Sequence, residues 1–102
     1  MIPRALLDEI CARVSIAEAS ERCGTLLQPK GRDHTGNCLF CGGLEFWAMT
    51  PRTEIQPFYH CFSCQAHGNV VGFWMRARNM GFHDAVRELA EMGDVAMEVQ
   101  DG

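Results

Sequence analysis

The chain has 102 residues, 47% of them hydrophobic and 22% charged, and a formal net charge of −4. That length holds one small domain and excludes a second, and a chain of this size buries only about two thirds of its unfolded surface, so metals or disulfides begin to matter. No run of about 18 apolar residues is present to cross a membrane, and Met1, Ile2, Pro3 and Arg4 do not begin a secretion signal, so the expected setting is cytoplasmic and the six cysteines are expected as zinc thiolates or buried thiols.

Pro3 suits the first turn of a helix, and Leu6, Leu7, Ile10 and Val14 follow at three- and four-residue spacing, which predicts a helix over 3–13. Ser15 and Glu18 have capping-box spacing at the head of a second helix, 16–22, which Gly24 can end. From Thr25 the pattern changes to short apolar runs. Leu26 with Leu27, Leu39 with Phe40, and residues 46–49 are strand candidates. Thr50, Pro51, Arg52 and Thr53 make a hairpin turn, and residues 58–62 the returning strand. Asn69 caps a third helix that runs to about Asn79; Gly81 interrupts, and a fourth helix covers 83–92 with Val86, Leu89 and Ala90 on one face. The expected fold class is α+β: a small zinc ribbon, an antiparallel sheet, packed against short flanking helices, with a domain over 1–93 and a polar tail over 94–102.

Charge is unevenly placed. Residues 1–21 hold two arginines against four acids and residues 79–102 hold Arg87 against six, whereas Arg22, Lys30, Arg32, Arg52, Arg76 and Arg78 outnumber Asp33, Glu45 and Glu54 in the middle. Six cations against three acids leave +3 there, and four thiolates on one zinc ion bring it to about +1, so affinity for nucleic acid is expected to be modest. Arg76 and Arg78 reach phosphate or solvate the third helix.

Cys38 and Cys41 form one CxxC pair, Cys61 and Cys64 a second, and residues 42–60 separate them. Two intervening residues let a tight turn aim both sulfurs at one metal while backbone amides point at the thiolates, and two such knuckles complete a tetrahedron. Four sulfur ligands leave no open position, so one structural zinc ion is expected. His60 precedes Cys61 and His67 follows Cys64 by three residues; either enters the ligand set if a cysteine withdraws. Cys11 and Cys23 lie beside apolar helix positions and read as small hydrophobes.

With the knuckles placed among their neighbours, the chain resembles the amino-terminal zinc-binding domain of bacterial DnaG-type DNA primases over residues 2–93. The resemblance rests on Ile2, Pro3, Leu6, Leu7 and Glu9, on Arg13, Ser15, Ile16 and Glu18, and on Lys30, Gly31 and Arg32. It is closest over Phe58, Tyr59, His60, Cys61, Phe62, Ser63 and Cys64, continuing through Gly68, Asn69, Val70 and Phe73 to Phe82, Ala85, Val86, Leu89 and Ala90. The family's first knuckle usually reads Cys-Pro-Phe-His, where this chain has Cys38, Leu39, Phe40 and Cys41, a four-cysteine set like that of some phage primase-helicases. Gly42, Gly43, Leu44 and Glu45 replace a longer, more basic stretch. His67 stands at a position commonly glycine, and Gly81 where a serine would cap the last helix.

The resemblance implies a non-catalytic part of a primase that binds single-stranded DNA template and supports primer synthesis by a separate polymerase domain or subunit, with the replicative helicase as a further partner. Its acids lie mostly in the terminal helices, without the carboxylate cluster that catalytic magnesium needs. A single-strand binder needs aromatic faces beside cations: Lys30, Arg32 and Arg52 are the phosphate candidates, and Trp47, Tyr59 and His60 the base candidates. Strand alternation decides: if Phe46 and Phe58 point inward, Trp47 and Tyr59 point outward. The competing reading is a zinc-ribbon interaction module that docks on a primase, helicase or other replication protein without touching DNA.

Overall fold

The computed structural model describes residues 3–49 and 57–95. They form α1 (Arg4–Arg13), α2 (Ile16–Arg22), β1 (Gln28–Lys30), β2 (Asp33–Gly36), β3 (Phe46–Ala48), β4 (Tyr59–Cys61), β5 (His67–Gly68), α3 (Val70–Arg78) and α4 (Phe82–Met92). The strands make one sheet in the order β1-β2-β3-β4-β5, antiparallel at every step. This is the expected α+β architecture.

The helices begin and end where their caps dictate. The Ser15 hydroxyl accepts from the Glu18 amide at 3.0 Å, and the Glu18 carboxylate turns to Arg22 at 3.5 Å. Gly24, at φ 100°, closes α2: its amide donates to the Glu21 carbonyl, and the Thr25 amide to that of Ser20, both at 2.9 Å. The Asn69 side chain accepts from the Gly72 amide at 2.9 Å, and left-handed Asn79 ends α3. Gly81 gives α4 no side-chain cap, as its lack of a hydroxyl requires.

The strands depart further from expectation. Leu26 and Leu27 form a loop before β1, and Leu39 and Phe40 lie in a turn rather than a strand. β1 and β2 are instead polar, joined through Gly31 at φ 63° in a two-residue hairpin between the paired Lys30 and Asp33. Their apolar pattern is too weak to announce a strand; the ladder to β3 makes them one. The expected turn at Thr50, Pro51, Arg52 and Thr53 lies outside the described residues.

One sheet face is covered by helices. Phe46, Ala48, Tyr59 and Cys61 point inward and are at most 2% exposed, and Phe73 of α3 is wholly buried against them. The Phe46 and Tyr59 rings stack at 5.4 Å, while Phe73 meets Tyr59 edge-on at 5.3 Å and Phe40 at 5.4 Å. Behind this cluster, α4 contributes Ala85, Val86, Leu89 and Ala90, α1 contributes Leu6, Ile10 and Cys11, and Trp74 of α3 donates to Glu88 of α4 at 2.8 Å. The packing continues to Val95, two residues past the expected limit at 93: its side chain is buried and its amide donates to the Ala90 carbonyl at 2.8 Å. Residues 96–102 of the expected tail lie outside the described residues.

Tyr59 corrects the expected alternation. Cys61 must face inward to meet the other sulfurs, and residues two apart on a strand share a face, so Tyr59 goes into the core with it. Phe58, which that alternation sets inside with Phe46, takes the opposite parity together with Phe62, and the two are 43% and 58% exposed.

Candidate metal centre and nucleic-acid face

The two knuckles are built alike. In the first, the Gly42 amide donates to the Cys38 carbonyl at 2.9 Å and the Cys38 amide to the Gly43 carbonyl at 2.7 Å; in the second, Gln65 donates to Cys61 at 2.8 Å and Cys61 to Ala66 at 2.9 Å. The residue after the second cysteine takes a positive φ in each, 77° at Gly42 and 66° at Gln65. These turns aim amides at sulfur: Phe40 at Cys38 and Gly43 at Cys41, both at 3.3 Å, and Cys64 at Cys61 at 3.4 Å. Such donors stabilise thiolate charge.

The sulfurs of Cys38, Cys41, Cys61 and Cys64 all lie within 4.8 Å of one another, with Cys38 to Cys64 at 3.9 Å and Cys41 to Cys61 at 3.7 Å. A tetrahedron with bonds of about 2.3 Å has edges of about 3.8 Å, so one zinc ion fits the four sulfurs. Burial, opposed by amide bonds from Cys41 and Phe40, pushes the Cys38 thiol up to about 12. At Cys61 burial also pulls upward, but amide bonds from Cys64 and Ser63 and the neighbouring sulfurs prevail and bring it down to about 7.

Neither histidine joins this cluster among the described residues. His60 stacks near His67 on the solvent face of the sheet, at 6.0 Å, and His67 Nδ1 lies 3.0 Å from the Gln65 carbonyl oxygen. Cys11 is buried between α1 and α3, where desolvation raises its thiol against a bond from the Val70 amide. Burial also raises Cys23, against the charge and hydrogen bond of Arg78.

A family model described as the CHC2 zinc finger matches residues 2–102. The DNA primase of Pasteurella multocida is 35% identical over 94 residues, covering 89% of this chain and 15% of that protein. The DNA primase of Neisseria meningitidis serogroup A is 34% identical over 94 residues, covering 89% and 15%. That of Escherichia coli K12 is 30% identical over 104 residues, covering 99% and 17%. The chain belongs to the CHC2 zinc-finger family. It spans about one sixth of the length of these primases. In this CHC2 finger the first knuckle closes on Cys41, where the resemblance leads one to expect histidine, and its sulfur stands in the cluster with the other three.

The outer sheet face of the finger is aromatic, with Trp47 and His60 half-buried and Phe62 exposed. Trp47 and His60 are cross-strand partners, with Thr35 beside Trp47 and His67 beside His60. Phe62 extends the row, its ring 4.6 Å from that of His60. The Trp47 indole donates to the Asp33 carboxylate at 3.1 Å, which fixes the plane of its ring. Lys30 and Arg32 are exposed on the β1–β2 hairpin. Of the six nucleic-acid candidates, the structure thus brings Trp47 and His60 onto one face with the hairpin cations at its edge. Tyr59 lies in the core and is removed from the set, and Arg52 lies outside the described residues. Sequence reasoning missed Phe62 and His67 on that face; the parity imposed by Cys61 was the signal for Phe62, whereas His67 needed β5 to pair.

Arg76 and Arg78 stand elsewhere. The Arg76 guanidinium lies 4.5 Å from the centre of the Phe40 ring, and that of Arg78 lies 5.4 Å from the Trp74 ring. Both arginines therefore cover aromatic surface on the helical side. No helix among the described residues is long and apolar enough to cross a membrane.

Proposed function

We propose that this zinc finger is the template-binding module of a DNA primase: it holds single-stranded DNA weakly on its outer sheet face and supports primer synthesis by a separate polymerase domain or subunit. Cys38, Cys41, Cys61 and Cys64 are its zinc ligands, and the metal is structural, since four sulfurs leave no position for water. One observation carries the reading: the solvent face of the sheet presents Trp47, His60 and Phe62 in a row beside exposed Lys30 and Arg32. Aromatic faces receive bases and cations follow the phosphates. Three phosphate contacts, from Lys30, Arg32 and Arg52, give a logarithmic salt slope of about −2 on single strands.

In this reading the finger makes no primers alone. Glu9, Glu18 and Asp84 are paired with Arg13, Arg22 and Arg87 on exposed helix surfaces, an arrangement suited to solubility rather than to holding magnesium. Fluorescence anisotropy of the zinc-loaded chain with labelled single-stranded DNA tests the proposal. Arg32→Ala lowers affinity for all sequences and flattens the salt slope, and Trp47→Ala costs about 1–3 kcal/mol with the circular dichroism spectrum unchanged. If both folded variants bind and stimulate primer synthesis like the parent chain, the outer face is not the template site.

A specific feature favours the protein-docking reading as the second choice. A 650 Å³ cleft on the helical side is lined by Arg22, Trp74, Arg78, Glu88 and Glu91, mixed charges suited to another protein. Saturable capture of a primase polymerase domain or a helicase without affinity for DNA would establish it.

A further inference from the structure

Among the described residues the outer face contains a concave place. Trp47, Phe62 and Leu44 form its apolar walls above buried Phe46, with Lys30, Thr35 and Glu45 at its rim, enclosing about 490 Å³. That volume lies within the range of about 300–1,000 Å³ of small-ligand clefts. Leu44 is 73% and Phe62 58% exposed, unusual for apolar side chains of this size in one small patch. The walls are held in place from behind: the Trp47 indole by Asp33 at 3.1 Å, and Phe62 by its amide bond to the Glu45 carbonyl at 3.0 Å and by the metal knuckle in which it sits. The bond from Phe62 also fixes the Glu45 backbone beside the aromatic wall.

We infer that this cleft takes one unpaired base of the DNA strand and that Glu45 makes guanine the preferred one. The inference rests on the template-binding reading above and adds a base specificity to it. Stacking on Trp47 and Phe62 tolerates any base, because every base has a π-face. Lys30 on the opposite rim suits the adjoining phosphate. An anionic carboxylate at the rim of a site for a polyanion would only repel, unless it accepts hydrogen bonds from the base. A glutamate carboxylate is an acceptor with two oxygens and no donor. In a single strand the Watson–Crick edge is open. Guanine offers two adjacent donors there, N1–H and the N2 amine, matching the two carboxylate oxygens. Cytosine and adenine each offer one amine beside a ring acceptor, and thymine one N–H between two carbonyls. Adjacent acceptors face the carboxylate in those three bases, and only guanine pairs with it twice.

The test is anisotropy of the zinc-loaded chain with a short oligothymidylate carrying one central dG, dC, dA or deoxyinosine, compared with oligothymidylate itself. The dG strand is expected to bind about tenfold tighter than oligothymidylate. Deoxyinosine, which keeps N1–H and lacks the amine, loses most of that advantage. Glu45→Ala abolishes the preference for dG while oligothymidylate binding stays the same or improves, since a repulsive charge has gone. Equal improvement of every strand in Glu45→Ala, or no preference among the bases in the parent chain, overturns the guanine assignment and leaves template binding standing. Failure of the folded, zinc-loaded parent to bind any strand overturns the template-binding reading, and the base assignment with it.

Discussion

Gly43 shows how little room separates the two knuckles. A Cβ at this position would stand 2.6 Å from Ser63 Oγ, 2.8 Å from Ser63 Cβ and 3.3 Å from the Cys41 sulfur. Gly43→Ala is therefore expected to lower stability by about 1–3 kcal/mol and to weaken zinc retention, as read by a chelator competition, and adding Ser63→Gly restores much of both. At the second-knuckle position that corresponds to Gly42, Gln65 takes a left-handed backbone without being glycine. Gln65→Gly is expected to raise the melting temperature by a few degrees, a gain of about 0.5–1 kcal/mol. The thiols set the direction of the pH response. Cys38, raised to about 12 by burial, still carries its proton at neutral pH and must release it on loading. Cys61, at about 7, has no proton to lose in alkali but gains one as the pH falls below its own value. Zinc affinity accordingly falls with acidification, and the slope of log affinity against pH steepens by one proton below about 7. A slope that is flat from pH 8 to 6 would show that the sulfurs are not the ligands.

Helix ends and strand parity are properties of whole elements. Glycine at the head of α4 leaves the amides there without a side-chain acceptor, and an added Cβ meets nothing within 4 Å. Gly81→Ser should therefore stabilise the domain by a few tenths of a kcal/mol in thermal melts. At its other end α4 closes as α2 does, with the Asp94 amide on the Glu91 carbonyl at 3.2 Å and that of Val95 on Ala90 at 2.8 Å, but with aspartate at φ 55° where α2 has glycine. This closure draws Val95 into the core and makes it the last packed residue described. In β4 the parity is set by the metal ligand. Cys61 takes Tyr59 inward with it, and Phe58, His60 and Phe62 are left for solvent or ligand.

At the scale of the molecule, one aromatic cluster joins the helices to the sheet, and the sulfurs close the other end of the same strands. Phe73 is the helical half of that joint, against Tyr59, Phe46 and Phe40. Phe73→Ala is expected to cost about 3–5 kcal/mol, a large part of the stability of a domain this small. Because Cys61 lies in β4 and Phe62 follows it, removing the metal loosens the outer aromatic face as well as the knuckles. Chelation should therefore abolish single-stranded DNA binding together with the amide protection of β3 and β4, while Cys11→Ala and Cys23→Ala leave zinc content at one ion per chain. Loss of metal from either alanine variant would reassign the ligands.

Spacing within the chain was enough for the helices, for their caps at Ser15 and Asn69, and for the four clustered cysteines, because each is a local pattern whose partners lie within a few residues or in a repeated CxxC turn. The resemblance in the second knuckle and the helix after it was likewise carried by adjacent residues. What the sequence did not show was nonlocal. β1 and β2 have no apolar alternation and become strands only through their ladder to β3, and β5 is two residues long and exists by pairing with β4. The exchange of Tyr59 for Phe62 on the outer face came from a constraint acting between knuckles far apart in sequence: Cys61 has to reach Cys41, and that contact fixes the side on which every β4 residue stands. An alternating run of aromatics cannot choose its own buried face; packing against Phe73 and closure on the sulfurs chose it.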